Sequence, residues 1–135
     1  MQLVIVDDGH LRLHIDAASQ ALAVDGDVFN PLQMLAASLA LCTAAAIRTY
    51  VATARLALTD FSIDLRWSYA QQPYRIERYA MEIQIPPTIP AARLRAIQRA
   101  ADACTVHNTL LHPPTIDTAV HLLPDDAVAP QLGND

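Results

Sequence analysis

The chain has 135 residues, of which 53% are hydrophobic and only 17% are charged, and its formal net charge is −5 at pH 7. The length fits one domain, and the apolar fraction is sufficient for a core. The net negative charge argues against a nucleic-acid partner, because phosphate binding needs clustered Lys and Arg. The low charge also indicates that some apolar surface is buried in an interface with another chain.

The N-terminal residues MQLVIVDDGHL lack the basic start, long apolar stretch and cleavage site of an export signal. The Ala-rich stretch from Leu32 to Tyr50 is interrupted by polar residues and predicts a buried helix, not a membrane span. We therefore expect a cytoplasmic protein that does not bind a membrane. A permanent structural disulfide is uncommon in that compartment.

The first elements in the chain are predicted to be strands. Asp8-Gly9 lies between Leu3–Val6 and the alternating Leu11, Leu13 and Ile15, which is typical of a β-hairpin. A second turn is expected at Asp25-Gly26. Asn30-Pro31 then predicts the start of a long central helix that ends near residues 54–57, with Gln33 at the capping-box spacing from Asn30.

Two long strands, a second helix and a last strand are predicted to follow. Phe61–Tyr69 alternates strictly, a turn is expected at Gln72-Pro73, and Tyr74–Ile85 is the partner strand. The second helix begins near Pro90, with an apolar stripe that ends at Cys104. A short helix is possible before Pro113, and Ile116–Leu122 is predicted to be the final strand.

This order of elements predicts an α+β fold, with two main helices packed on one face of a mostly antiparallel sheet. We expect a single domain over residues 1–135, with N-terminal strands in 1–29 and a frayed tail in 124–135. No repeat and no linker interrupts it.

Cys42 and Cys104 are the only cysteines, and both are predicted to lie on buried helix faces. Free cysteines are often inert core residues, and spacing alone favours that interpretation. A disulfide would need Cα atoms within about 7 Å, which a sequence does not reveal.

The residues around both cysteines resemble those of the OsmC/Ohr superfamily. From Asn30 the chain reads NPLQMLAASLALCT, and around Cys104 it reads ADACTVHNTL. The family is similar in having an Asn/Ser-Pro helix start, a run of small residues, a Cys in that helix and a later Cys-x-Val-His-like segment. The resemblance covers roughly Phe29 to Leu122.

The resemblance implies an intertwined homodimer with thiol peroxidase activity on small hydrophobic organic hydroperoxides. Cys42 would be the peroxidatic thiolate and Cys104 the resolving thiol, and an external dithiol would reduce the resulting disulfide. In the family, an N-terminal arginine held by a glutamate activates the peroxidatic cysteine. Arg12 is the only arginine before the central helix, and Leu32 or Gln33 stands where relatives carry the glutamate.

The missing glutamate keeps a second hypothesis open. Gln33 can hydrogen-bond an arginine but lacks charge, and Arg48 lies nearly two helical turns beyond Cys42. The alternative is a non-catalytic OsmC-like dimer, a ligand-binding or interaction domain whose cysteines are residual. We expect no cofactor and no metal, since Cys104, His107 and His112 lack a second ligand pair at the usual spacing.

Overall fold

The computed structural model describes residues 2–7, 9–15, 23–25, 31–122 and 124. Within these residues five strands form one sheet in the order β3-β1-β2-β4-β5. The strands are β1 (Gln2–Asp7), β2 (His10–Ile15), β3 (Ala23–Asp25), β4 (Phe61–Gln71) and β5 (Tyr74–Gln84). β3 pairs with β1 in parallel, and the other pairings are antiparallel. The predicted α+β class with a mostly antiparallel sheet is confirmed.

Three helices complete the described fold: α1 (Pro31–Thr53), α2 (Leu94–Asp102) and α3 (Thr105–Leu111). A 3-10 turn at Ala91–Arg93 leads into α2. The predicted start of α1 at Pro31 is confirmed, and its end at Thr53 lies close to the predicted one. The predicted cap, Asn30, and the turn residues Asp8 and Gly26 lie outside the described residues.

The core lies between the sheet and α1. Residues at alternate positions of β4 are buried, as the sequence pattern predicts, and they meet Leu3 and Leu13 of the first hairpin. Trp67 is 7% exposed, and its indole Nε1–H donates to the hydroxyl of Tyr69 over 2.8 Å. The apolar residues of β4 on this buried face are Phe61, Ile63, Leu65 and Trp67.

α1 passes the length and hydropathy criteria for a membrane span, but it packs as a core helix. Thr43 and Ile47 on its inner face are fully buried against the sheet and the later helices. Its outer face is exposed among the described residues, where Met34 is 52% exposed and Leu35 is 38% exposed. The sheet and the two short helices therefore bury one side of α1, whereas no element of the described part of the chain covers Met34 and Leu35 fully.

Two sequence predictions are wrong within this chain. Ile116–Leu122 is not a strand: it has no regular structure, and Ile116, Val120 and Leu122 are 84%, 91% and 99% exposed. An alternating apolar segment forms a strand only when a neighbouring edge satisfies its backbone groups, and no described strand of this chain does so. The second error concerns Cys104, which lies between two helices and not inside one.

Candidate active site

The site is built where α1 meets the junction of α2 and α3. Cys42 lies near the middle of α1 and is half-buried, whereas Cys104 is 3% exposed. The two thiols are free and lie near each other, because their sulfurs accept hydrogen bonds from successive backbone amides, those of Val106 and His107. Residues more than 60 positions apart in sequence are thus brought together, as the redox-pair prediction requires, although their roles stay predictions.

Cys104 occupies the N-cap position of α3. Its backbone is extended, and its sulfur accepts a hydrogen bond from the backbone N–H of His107 over 3.2 Å. Its own N–H donates to the carbonyl of Ala101, so a tight turn joins the end of α2 to the start of α3. This turn keeps Ala101 and Cys104 on one face. For that reason the helical spacing of apolar residues predicted that α2 continues to Cys104.

Cys42 is tied to the same helix start. The backbone N–H of Val106 donates to Cys42 Sγ over 3.5 Å. Successive amides of the first turn of α3, those of Val106 and His107, therefore point at the two different sulfurs. Amides in the first helical turn have no partner within the helix, so these sulfurs satisfy donors that would otherwise be unpaired.

The surroundings of Cys104 favour its neutral form. Burial raises the pKa of the Cys104 thiol, and the neighbouring Cys42 also raises it. The His107 N–H and the Thr43 hydroxyl act in the opposite direction but do not overcome burial. At neutral pH Cys104 is therefore a protonated thiol, which suits a residue that acts second.

Thr43 is the site residue that sequence reasoning missed. Its hydroxyl Oγ1 lies 3.7 Å from Cys104 Sγ, and the residue is fully buried. The available signal was its position: Ala36, Ala40 and Ile47 place Thr43 on the buried stripe of α1, where a polar side chain needs a partner.

Two cavities lie between β5 and the last two helices. Each has a volume of about 350–360 Å³, and Met81 and His107 line both. Thr43, the neighbour of Cys42 in α1, is among the lining residues of the first cavity. The walls of the first cavity are mostly apolar, and its lining residues are Thr43, Met81, Ile83, Ile85, Leu94, Ile97, Gln98, Ala101, Asp102 and His107.

Arg12 lies on the opposite face of the sheet. Its neighbour Leu13 is fully buried in the core, whereas Arg12 points to the outer face and binds Asp64 through Nε and Nη2, each over 3.1 Å. His10 Nε2–H donates to the same carboxylate oxygen over 3.0 Å. Within one chain Arg12 is not brought to Cys42, and its role as the activating cation stays a prediction.

Gln33 is buried in the first turn of α1. Nine residues separate it from Cys42, which amounts to about 13 Å along the helix axis and about half a turn around it. Gln33 and Cys42 therefore project from opposite sides of α1. The hypothesis that Gln33 holds an activating arginine near Cys42 therefore stays a prediction.

The fold and the thiol pair together define a class of small α+β proteins with a long central helix that carries a cysteine. The family model described as OsmC-like protein matches residues 24–119. The chain therefore belongs to the OsmC-like family, as its sequence resemblance predicts. No curated protein matches the chain.

Two solved structures share this fold. One is an osmotic stress induced and detoxification response protein from Psychrobacter arcticus 273-4, with 16% identity and a TM-score of 0.58, covering 79% of this chain and 84% of that one. The other is an OsmC-like hydroperoxide resistance protein from Jannaschia sp. CCS1, with 22% identity and a TM-score of 0.53, covering 91% and 90%. At these identities the likeness shows the fold alone.

Proposed function

We propose that this protein is a cytoplasmic thiol peroxidase that reduces organic hydroperoxides through Cys42 and Cys104. The observation that carries the proposal is the closeness of the two free thiols, whose sulfurs accept from successive amides at the start of α3. Membership of the OsmC-like family and the likeness to a hydroperoxide resistance protein support a peroxidase-related role.

The reaction divides between the two thiols according to their burial. The Cys42 thiolate attacks the terminal oxygen of the hydroperoxide, the O–O bond breaks, and the alkoxide leaves and takes a proton from water to become an alcohol, while Cys42 becomes a sulfenic acid. Cys104 Sγ then attacks Cys42 Sγ, the S–O bond breaks, and water leaves as the disulfide forms. An external dithiol restores both thiols by exchange and is itself oxidised to a disulfide.

The cavity walls support an organic substrate over hydrogen peroxide. Residues such as Met81, Ile83 and Ile97 form an apolar surface next to Thr43, which adjoins the cysteine pair. Apolar walls gain free energy from burying the hydrocarbon part of a hydroperoxide, a gain that hydrogen peroxide cannot supply.

We also propose that the working form is a homodimer. The exposed outer face of α1 and the exposed segment 116–122 are apolar surfaces that water disfavours. The alternation of Ile116, Val120 and Leu122 suits pairing with a sheet edge of a second copy, which would satisfy the backbone groups of the segment.

The test is oxidation of the fully reduced protein by one equivalent of tert-butyl hydroperoxide or of hydrogen peroxide, followed by thiol mapping with mass spectrometry. We expect a Cys42–Cys104 disulfide that forms faster with the organic oxidant. Cys104→Ser should stop at a Cys42 sulfenic acid that dimedone traps, and Cys42→Ser should not react. If both thiols of the wild-type protein stay reduced, the enzyme is refuted, and the non-catalytic dimer is the function to pursue.

A further inference from the structure

Thr43 follows Cys42 directly in α1, and both residues lie at the junction that carries Cys104. Cys42 Sγ accepts from the backbone N–H of Val106, next to the His107 N–H that donates to Cys104 Sγ, and the Thr43 hydroxyl lies 3.7 Å from Cys104 Sγ. Thr43 is fully buried, so water does not compete for its hydroxyl. A buried hydroxyl needs a hydrogen-bond partner, and here that partner is Cys104 Sγ.

The other threonines in the later half of α1 behave differently. The hydroxyls of Thr49 and Thr53 donate to the carbonyl oxygens four residues earlier, over 3.0 Å and 2.9 Å. This back-bonding is the usual choice for a threonine within a helix. The Thr43 hydroxyl instead contacts a sulfur on another element, which points to a role at the thiol site and not in the helix.

We propose that Thr43 is a positioning residue for Cys104, and that its hydroxyl donates a hydrogen bond to Cys104 Sγ as this sulfur attacks Cys42. The part of this inference that concerns the attack rests on the proposed function. A thiolate has no proton to donate, so Thr43 must be the donor once Cys104 ionises. The hydrogen bond also holds the sulfur against Cys42 while the S–S bond forms.

The need for such a donor follows from the burial of Cys104. In the resolving step Cys104 gives up its proton, its electron pair forms the bond to Cys42 Sγ, and the hydroxyl of the sulfenic acid leaves with a proton as water. Burial opposes the charge that develops on Cys104 along this path. The His107 N–H and the Thr43 hydroxyl are the donors that offset this cost.

The first experiment isolates the thiol from any peroxide chemistry. In a Cys42→Ala background Cys104 is the only thiol, and the ultraviolet absorbance of its thiolate is followed against pH, with a Cys42→Ala/Cys104→Ala protein subtracted for tyrosine. We expect Thr43→Val to raise the titration midpoint by about one pH unit, since it removes a donor to the charged form. Thr43→Ser should restore the original midpoint, because it keeps the hydroxyl.

Thr49→Val is the matched control, since it makes the same change on the same helix away from the thiols. It should leave the midpoint unchanged. Each variant is checked for cooperative thermal unfolding, so that a folding defect is separated from a change at the thiol. If Thr43→Val folds and titrates like its parent, the proposal is overturned.

The second experiment uses the protein with both cysteines and one equivalent of tert-butyl hydroperoxide. In Thr43→Val, conversion of the Cys42 sulfenic acid that dimedone traps to the disulfide should be slowed by about tenfold relative to wild type. Equal conversion rates would overturn the positioning role. A wild-type protein that forms neither product would refute the peroxidase function, whereas the titration shift would still test the hydrogen bond by itself.

Discussion

The backbone N–H of Val106 donates to Cys42 Sγ over 3.5 Å, and this contact joins the middle of α1 to the first turn of α3. The next amide, that of His107, donates to the sulfur of Cys104. Both sulfurs therefore accept hydrogen bonds from the first turn of α3. A reaction at either sulfur changes the hydrogen bonding of a backbone N–H group in that turn.

The difference in burial between the thiols predicts their order of reaction. In the reduced protein, iodoacetamide should alkylate Cys42 at least about tenfold faster than Cys104, because Cys104 is buried and its raised pKa keeps it protonated. A time course with peptide mass spectrometry measures both rates. In urea the two rates should become equal, and faster labelling of Cys104 in the native state would reverse the assigned roles.

Oxidation should stabilise the fold. A Cys42–Cys104 disulfide would close a loop of about 60 residues, for which chain entropy predicts roughly 4 kcal/mol before any strain is subtracted. Urea unfolding of the reduced and the oxidised protein measures the difference, at one fixed protein concentration.

Cys104→Ser provides the control for that comparison, since it cannot form the bond and should unfold identically before and after oxidation. An oxidised wild-type protein that is no more stable than the reduced one would show that the disulfide distorts the junction of α2 and α3 by a comparable free energy.

The Asp64 cluster predicts a stability that depends on pH. Burial acts to raise the Asp64 pKa, but hydrogen bonds from His10 and Arg12 outweigh it and lower the pKa below its ordinary value. The carboxylate therefore stabilises the fold above the unfolded-state pKa of about 4, and this contribution is lost as the pH falls through the lower folded-state value.

Asp64→Asn should accordingly lower the free energy of unfolding by about 1 kcal/mol at pH 7. The effect is small because Arg12 is half-exposed and water weakens the ion pair. The difference from wild type should shrink below pH 4 in denaturant titrations. Asp60→Asn, at an exposed position next to the same strand, is the control and should change stability little. A difference that is constant with pH would exclude the ionised cluster as its cause.

A charge in segment 116–122 should weaken the proposed dimer. Val120→Asp places a carboxylate on the apolar side of the segment and is expected to raise the dimer dissociation constant by at least about tenfold. Sedimentation equilibrium measures the change. Ala119→Asp adds the same charge on the side that already carries Asp117 and should have a smaller effect. If both variants have the dimer dissociation constant of the wild-type protein, the interface does not involve this segment.

Local sequence patterns predicted most of the helices, strands and turns, because the conformation of each depends mainly on adjacent residues. The Pro31 start of α1, the alternation of β4 and the turn at Gln72-Pro73 are all set by local backbone preferences. The segment 116–122 shows the limit of such patterns. Its alternation is compatible with a strand, but strand formation depends on a distant edge that a sequence pattern does not specify.

The sequence identified the two cysteines of the candidate site, but it did not identify the residues that contact them. The helix break before Cys104 was hidden because a tight turn preserves the spacing of the apolar stripe. Strand parity placed Arg12 on the polar side of the hairpin, and the Asp64 partner comes from a strand 52 residues away. Thr43 appeared only as a polar interruption of an apolar helix, since its partner lies on another element.

The position of Trp67 gives the protein a built-in optical probe. It is the only tryptophan in the chain, it lies on the core face of β4, and it is hydrogen-bonded to Tyr69. An indole in such an apolar setting fluoresces at shorter wavelength than one in water. Each variant described above therefore reports the integrity of its own core through its emission spectrum, without a dye or a label.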